Sequence, residues 1–338
     1  MHQYIDRETS RVITEKLIAD RMINTIYSSV REKSPLLFNL LTSARASDLL
    51  TVLNYDNPLV AKRSQLNKMI LELSIDLTEC VESNEQLDTP RKLFERKIRY
   101  WETRPLPEDP RIVVSPADSR MLVGSFAKDS ILLLKEKFFH YEELIGLDRP
   151  EWLDTFQHGD YAVFRLTPDK YHYNHVPVSG CVVDFYELDG RYHSCNPTAI
   201  VSLATPYSKN KRTVTVIDTD VEGGSRVGLV LMIELVALMI GEIKQCYSDE
   251  KYDNPITVEP GMFIRRGAPK SLFRPGSSVD ILIFQRNRVE FQHDIMQNLH
   301  RKDVVSRYSS KFQKALVETD VKVRSPITTG QCIQTELR

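Results

Sequence analysis

Apolar positions near the start of the chain fall at helical spacing: Ile13, Leu17, Ile18, Met22, Ile23, Ile26 and Val30 recur every three to four residues. Further helical stretches are expected over 36–41, 46–53 and 59–80. Pro90 stands where the first turn of a charged helix begins, running through Lys92, Phe94, Lys97 and Trp101, and Arg104-Pro105-Leu106-Pro107 ends it. Residues 8–103 thus read as helical. From Ile112 the period changes. Segments rich in β-branched and aromatic residues follow at 112–114, 161–166, 182–186, 213–217 and 279–284. Gly180, Asp189-Gly190, Gly223-Gly224 and Pro275-Gly276 punctuate them. The apolar run 227–241 reads as a buried core strand. The expected class is α+β: an N-terminal helical region, 1–108, packed on a β-rich, sandwich-like domain, 109–324, with a polar tail over 325–338.

Composition narrows the function classes. The 338 residues are 41% hydrophobic and 27% charged, with a net charge of −1. They carry no global basic field of the kind that nucleic acid selects. Asp6, Arg7, Glu8 and Glu15 interrupt any apolar leader, so no signal peptide is expected. The run 227–241 is shorter than the roughly 20 residues of a membrane span and carries Glu234 at its middle, so no transmembrane helix is expected. Five dispersed cysteines (Cys80, Cys181, Cys195, Cys246, Cys332) form no CxxC pair and suggest reduced thiols in a cytoplasmic setting.

Three motifs carry possible chemistry. Arg274-Pro275-Gly276-Ser277-Ser278 precedes an apolar strand. Read alone it is a common turn. Read as chemistry, the Ser277 hydroxyl attacks the Gly276 carbonyl, and elimination of the resulting ester followed by hydrolysis leaves a pyruvoyl group and ammonia; Gly leaves that carbonyl open. Tyr171-His172-Tyr173-Asn174-His175 offers two histidines three apart. They read as general bases near neutral pH or as a buried, hydrogen-bonded pair. A metal site built on His172, His175 and His193 lacks a cysteine or carboxylate at ligand spacing, and no metal is expected. Ser115-Pro116-Ala117-Asp118 ends a short strand in a turn that presents a carboxylate. Such a carboxylate either orients a histidine or closes an Asx-turn.

In this order and spacing the three motifs resemble the phosphatidylserine decarboxylases. The likeness extends from Tyr4-Ile5-Asp6-Arg7, through Lys92-Leu93 to Arg104-Pro105, to Tyr192-His193 with Asn196-Pro197, Asn210-Lys211-Arg212 and Val321-Lys322-Val323, covering about residues 4–324. There are departures. Ser119 stands where the family has Gly, the processing site is Gly-Ser-Ser instead of Gly-Ser-Thr, Lys211 replaces a Glu, and Val236 replaces a Gly in the stretch Ile233-Glu234-Leu235-Val236-Ala237. Ser278 keeps a hydroxyl. Ser119 and Val236 bear on the pocket.

The resemblance implies a self-processing, pyruvoyl-dependent enzyme that decarboxylates phosphatidylserine to phosphatidylethanolamine. The domain 109–324 would be catalytic and cleaved between 276 and 277. Ser277 would become the pyruvoyl cofactor and Gly276 would end the longer fragment. Asp118 and His175 would activate Ser277 for cleavage, and His172 would act on substrate; the assignment between the two histidines is interchangeable on the residues alone. A phospholipid substrate at a membrane surface is the implied partner, with a homo-oligomer, a dimer, of processed protomers, no nucleic acid and no metal. The expected location is cytoplasmic and peripheral, the segment 36–41 near Arg31 and Lys33 being the docking element. The alternatives are a relative acting on a soluble amino acid, such as an aromatic one, and a non-cleaving member serving as a binding protein.

Overall fold

The structure, a computed structural model, describes residues 1–17, 34, 63–126, 140–191, 193–202, 206–236, 242–276 and 278–330. The helices expected over 18–30, 36–41 and 46–53 lie outside the described residues, as do Ser277 and Cys332. The chain begins as strand, not helix. β1 (Gln3–Asp6) and β2 (Val12–Thr14) form a hairpin in which Tyr4 faces Ile13. Ile13, expected to start a helical stripe, therefore sits on an edge strand. The cause is distant: β1 runs parallel to a strand at the far end of the chain, with Ile5 opposite Thr319.

Helix α1 (Arg63–Leu73) leads to a 3-10 turn, Leu77–Glu79, whose Thr78 amide donates to the Asp76 carboxylate. Thr89 caps α2 (Pro90–Phe94) by accepting from the Lys92 amide, with Pro90 in the first turn. The single helix expected from Pro90 to Trp101 breaks and resumes as α3 (Tyr100–Thr103). Residues 97–99 are drawn into extended pairing instead: the Val81 amide donates to the Lys97 carbonyl, the Arg99 amide to the Glu79 carbonyl, and Cys80 bridges Ile98.

The β-rich part contains β3 (Ser119–Ser125), β4 (Asp160–Leu166), β5 (Tyr173–His175), β6 (Gly180–Leu188), β7 (Arg212–Asp218), β8 (Leu229–Val236), β9 (Ile243–Gln245), β10 (Phe263–Ile264), β11 (Pro269–Phe273), β12 (Ser278–Phe284) and β13 (Thr319–Val321). They form a ten-stranded sheet in the order β10-β6-β7-β8-β12-β4-β3-β13-β1-β2 and a three-stranded sheet in the order β5-β11-β9. All pairings are antiparallel except β1 with β13. The class is α+β, as expected. The segment 112–114 contributes only a bridge from Val114 to Pro326. β8 and β12 lie side by side inside the large sheet and bury nearly every residue, which is why both read as continuous apolar runs. Helices α4 (Tyr141–Ile145), α5 (Pro150–Phe156), α6 (Pro197–Ser202), α7 (Pro206–Lys209), α8 (His293–Leu299) and α9 (Arg307–Phe312) complete the chain's elements among the described residues. None of the described helices is long and apolar enough to cross a membrane.

Candidate active site

The sheet topology brings the three motifs to one place. β12 starts at Ser278, immediately after the serine of the Gly-Ser pair, and Ser278 lies opposite Leu166 on one side and Val236 on the other. β11 ends at Phe273, and the Phe273 amide donates to the His172 carbonyl at 3.1 Å. Phe273 packs with Ala117 and Leu166 in one buried cluster. The turn 274–276 thus hangs between the histidine segment and the segment ending at Asp118. Gly276 has φ +149°, a conformation that a side chain at this position would strain.

His175 is fully buried on β5. Its Nδ1 lies 2.9 Å from the Gly267 carbonyl oxygen and its Nε2 lies 2.9 Å from the Tyr171 hydroxyl. A carbonyl only accepts, so Nδ1 carries the proton and Nε2 holds the lone pair. The Tyr100 ring meets the imidazole edge-on with centroids 4.7 Å apart. Burial pushes His175 down to about 3, so the ring is neutral. His172 has different company. It stacks on Phe94 at a centroid distance of 3.6 Å, and its ring nitrogens bond no described side chain, the Lys170 backbone being the polar group that acts on the ring. Burial, aided by the Arg96 guanidinium, pushes it to about 3 as well.

Asp118 is buried, and its carboxylate is gripped by Arg104, from Nε at 3.2 Å and Nη2 at 2.9 Å, and by the Val323 amide at 2.7 Å. Arg104 in turn holds Glu79 at 2.8 and 2.9 Å. Burial works against the charge of Asp118, but Arg104 and the Val323 amide overcome it and keep the carboxyl below its usual range. Asp118 and His175, expected to act together on Ser277, take separate hydrogen-bond partners: Arg104 and the Val323 amide for one, Tyr171 and the Gly267 carbonyl for the other. Asp118 acts on both histidines as a neighbouring charge.

A buried polar cluster between the two sheets was not expected. Lys270 on β11 pairs with Glu234 on β8 at 2.6 Å, and both side chains are inaccessible to solvent. Glu234 also accepts from Ser271, and Asn174 donates to the Ser271 hydroxyl at 2.9 Å. Gln245 accepts from Lys270 at 3.2 Å. Asp280 lies directly opposite Glu234 across the β8–β12 ladder, yet among the described residues neither of its oxygens has a hydrogen-bond partner, nor has the Ser278 hydroxyl or the Asn174 carbonyl oxygen. The sequence signal was present: Glu234 and Asp280 each interrupt an apolar strand. Nothing in their numbers, however, shows that they face one another. Among the described residues, one group of His, Cys, Asp or Glu is close enough to hold a cation, His2 with Glu15 and Glu318, and the Arg165 guanidinium bonds both of those carboxylates.

Residues 91–304 match the family model described as phosphatidylserine decarboxylase. The chain is 28% identical over 297 residues to the phosphatidylserine decarboxylase proenzyme of Ruminiclostridium cellulolyticum, covering 88% of this chain and 91% of that one. It is 27% identical to the corresponding proenzyme of Clostridium perfringens, covering 88% and 94%. To phosphatidylserine decarboxylase proenzyme 3 of Schizosaccharomyces pombe it is 26% identical, over 87% of this chain and 29% of that longer protein.

Proposed function

From the premise that the chain belongs to the phosphatidylserine decarboxylase family, we propose that it cleaves itself between Gly276 and Ser277 and converts phosphatidylserine to phosphatidylethanolamine with release of CO2. The observation that carries this reading is the conformation of Gly276, φ +149°, at the entry of the central strand β12 and three residues after Phe273, whose amide bonds the His172 carbonyl. A glycine here leaves its carbonyl open to attack from the next residue. The Ser277 hydroxyl adds to that carbonyl, and its proton passes to the departing amide nitrogen. The ester then loses the residue-277 α-proton and the Gly276 carboxylate, and water replaces nitrogen as ammonia.

A pyruvoyl carbonyl at position 277 would supply the electron sink that decarboxylation of an α-amino acid needs. This chain's own residues would do the rest. His175, neutral and protonated on Nδ1, offers Nε2 as a base for cleavage. Asp118, kept ionised by Arg104, stabilises positive charge on that ring through space. His172, its ring stacked on Phe94, would hold or deliver a proton at the substrate. A lipid substrate would be met at the membrane surface; the expected docking segment 36–41 lies outside the described residues.

Intact mass of the purified protein should show fragments 1–276 and 277–338, and Ser277→Ala should remain whole. Cleaved protein should release CO2 from phosphatidylserine vesicles. A full-length species alone, or CO2 from free serine or an aromatic amino acid with none from vesicles, would contradict the reading.

A further inference from the structure

His175 is sealed from solvent, so a proton it takes up or gives away needs a route. We propose that Tyr171 and Tyr252 are that route, a two-tyrosine relay that also fixes which nitrogen of His175 is basic. The proposal rests on the reading that His175 works in self-cleavage.

The hydrogen bonds are contiguous. Because the Gly267 carbonyl claims the Nδ1 proton, the Tyr171 hydroxyl must donate to Nε2. The Tyr171 oxygen then accepts from the Tyr252 hydroxyl, 2.7 Å away. Tyr252 receives the Ile98 amide at 3.1 Å and has a second acceptor, the Ile98 carbonyl, at 2.9 Å. Its single proton therefore chooses between the relay and the backbone. Exposure rises along the chain of groups: His175 is 0% and Tyr171 1% accessible, whereas Tyr252 is partly exposed. A proton that Nε2 takes up in cleavage is passed to the Tyr171 oxygen as Tyr171 gives its own proton to Tyr252 and Tyr252 releases one to water. One proton leaves, and His175 and both tyrosines are restored. Uptake of a proton runs the same bonds in the opposite direction.

The charges around the relay come from several elements. Arg324, Asp118 and Arg104 act on His175, and Tyr100 packs against its ring. Lys97 lies over the Tyr252 ring, 5.3 Å from its centroid, with Tyr173 and Tyr100 edge-on to the same ring. Lys251 covers the neighbouring Trp101. A cation at the outer tyrosine and a mixed field at the inner histidine give the two ends different electrostatic surroundings.

The tautomer is read in full-length Ser277→Ala protein by nitrogen-15 NMR of the His175 ring, which does not depend on cleavage or on any decarboxylase activity. The expected spectrum is a neutral ring protonated on Nδ1, with the Nε2 resonance displaced by Tyr171→Phe. In the cleaving chain, Tyr171→Phe should slow the split about tenfold or more. Tyr252→Phe, which leaves His175 its partner, should slow it less, raise the solvent isotope effect and shift the pH profile while the thermal midpoint stays put. An Nε2-protonated ring, or a Tyr252→Phe protein cleaving with wild-type rate, isotope effect and pH profile, would overturn the relay. A wild-type chain that never cleaves would refute the proposed function and leave the NMR test standing.

Discussion

Asp280 on β12 and Glu234 on β8 are cross-strand neighbours in the interior of the large sheet, and a single lysine, Lys270, serves the pair. Lys270 bonds Glu234, while Asp280 has no hydrogen-bond partner among the described residues. Two buried carboxyls facing one ammonium cannot both ionise cheaply. Burial, reinforced by the charge of Glu234 and opposed by Lys270, raises Asp280 well above the usual range, so it stays protonated.

That arrangement sets the sign of two substitutions. The folded state holds a proton on Asp280 that the unfolded chain gives up above roughly pH 4, so stability falls as pH rises past that point. Asp280→Asn should therefore raise the urea midpoint at pH 7, and the gain should shrink towards pH 4. Glu234→Ala strands Lys270 as an uncompensated buried charge and should cost about 3–5 kcal/mol by the same measurement.

The histidines should separate cleavage from turnover. Asp118→Asn and His175→Ala are expected to block or slow the split of the chain. His172→Ala is expected to permit it while impairing CO2 release. Arg104→Leu removes the group that keeps Asp118 ionised, and should both slow cleavage and lower the thermal midpoint. Timed denaturing gels together with CO2 release from vesicles check the set, and a His172→Ala protein with normal turnover would remove that residue from the site.

After cleavage the fragments should stay together. The C-terminal fragment supplies β12, paired over seven residues to each of β4 and β8, and β13, held between β3 and β1. One buried ion pair crosses between the fragments, Arg165 with Glu318 at 2.6 Å, while Glu15 holds Arg165 from within the N-terminal fragment. Size exclusion in native buffer should give one peak containing both pieces, and urea should be needed to part them.

Acid should unfold the protein steeply. His172 and His175 are pushed to about 3 by burial, and burial with Arg191 and Lys209 puts His193 near 4. Between those values and the unfolded value of about 6.5 the unfolded chain binds more protons, so stability is full above that window and is lost as pH falls. Each histidine can add a slope of up to about 1.4 kcal/mol per pH unit. Urea titrations of Ser277→Ala between pH 7 and pH 4.5 should show the midpoint falling, and His172→Phe, which keeps a ring against Phe94, should flatten the slope.

Segments whose own side chains define a two-residue period or a continuous apolar run were legible in the sequence. These include 161–166, 213–217 and 279–284, together with the helix start at Pro90, because local sterics and burial act on neighbours in the chain. The order of the Asp118, His172–His175 and Gly276-Ser277 motifs was legible too, since chemistry constrains residue type. Tertiary structure decided the rest. β5, β9 and β10 are two or three residues long and exist only because a partner strand presents its edge. The hairpin at Ile13 depends on β13, the break in the Pro90 helix on residues 79–81, and the meeting of Glu234, Lys270 and Asp280 on ladder register. Which partner each charged or titratable group takes, Arg104 for Asp118 and Tyr171 with Gly267 for His175, follows from distances set by packing. Interaction energies fall off over a few ångströms of space, and sequence separation carries no measure of that distance.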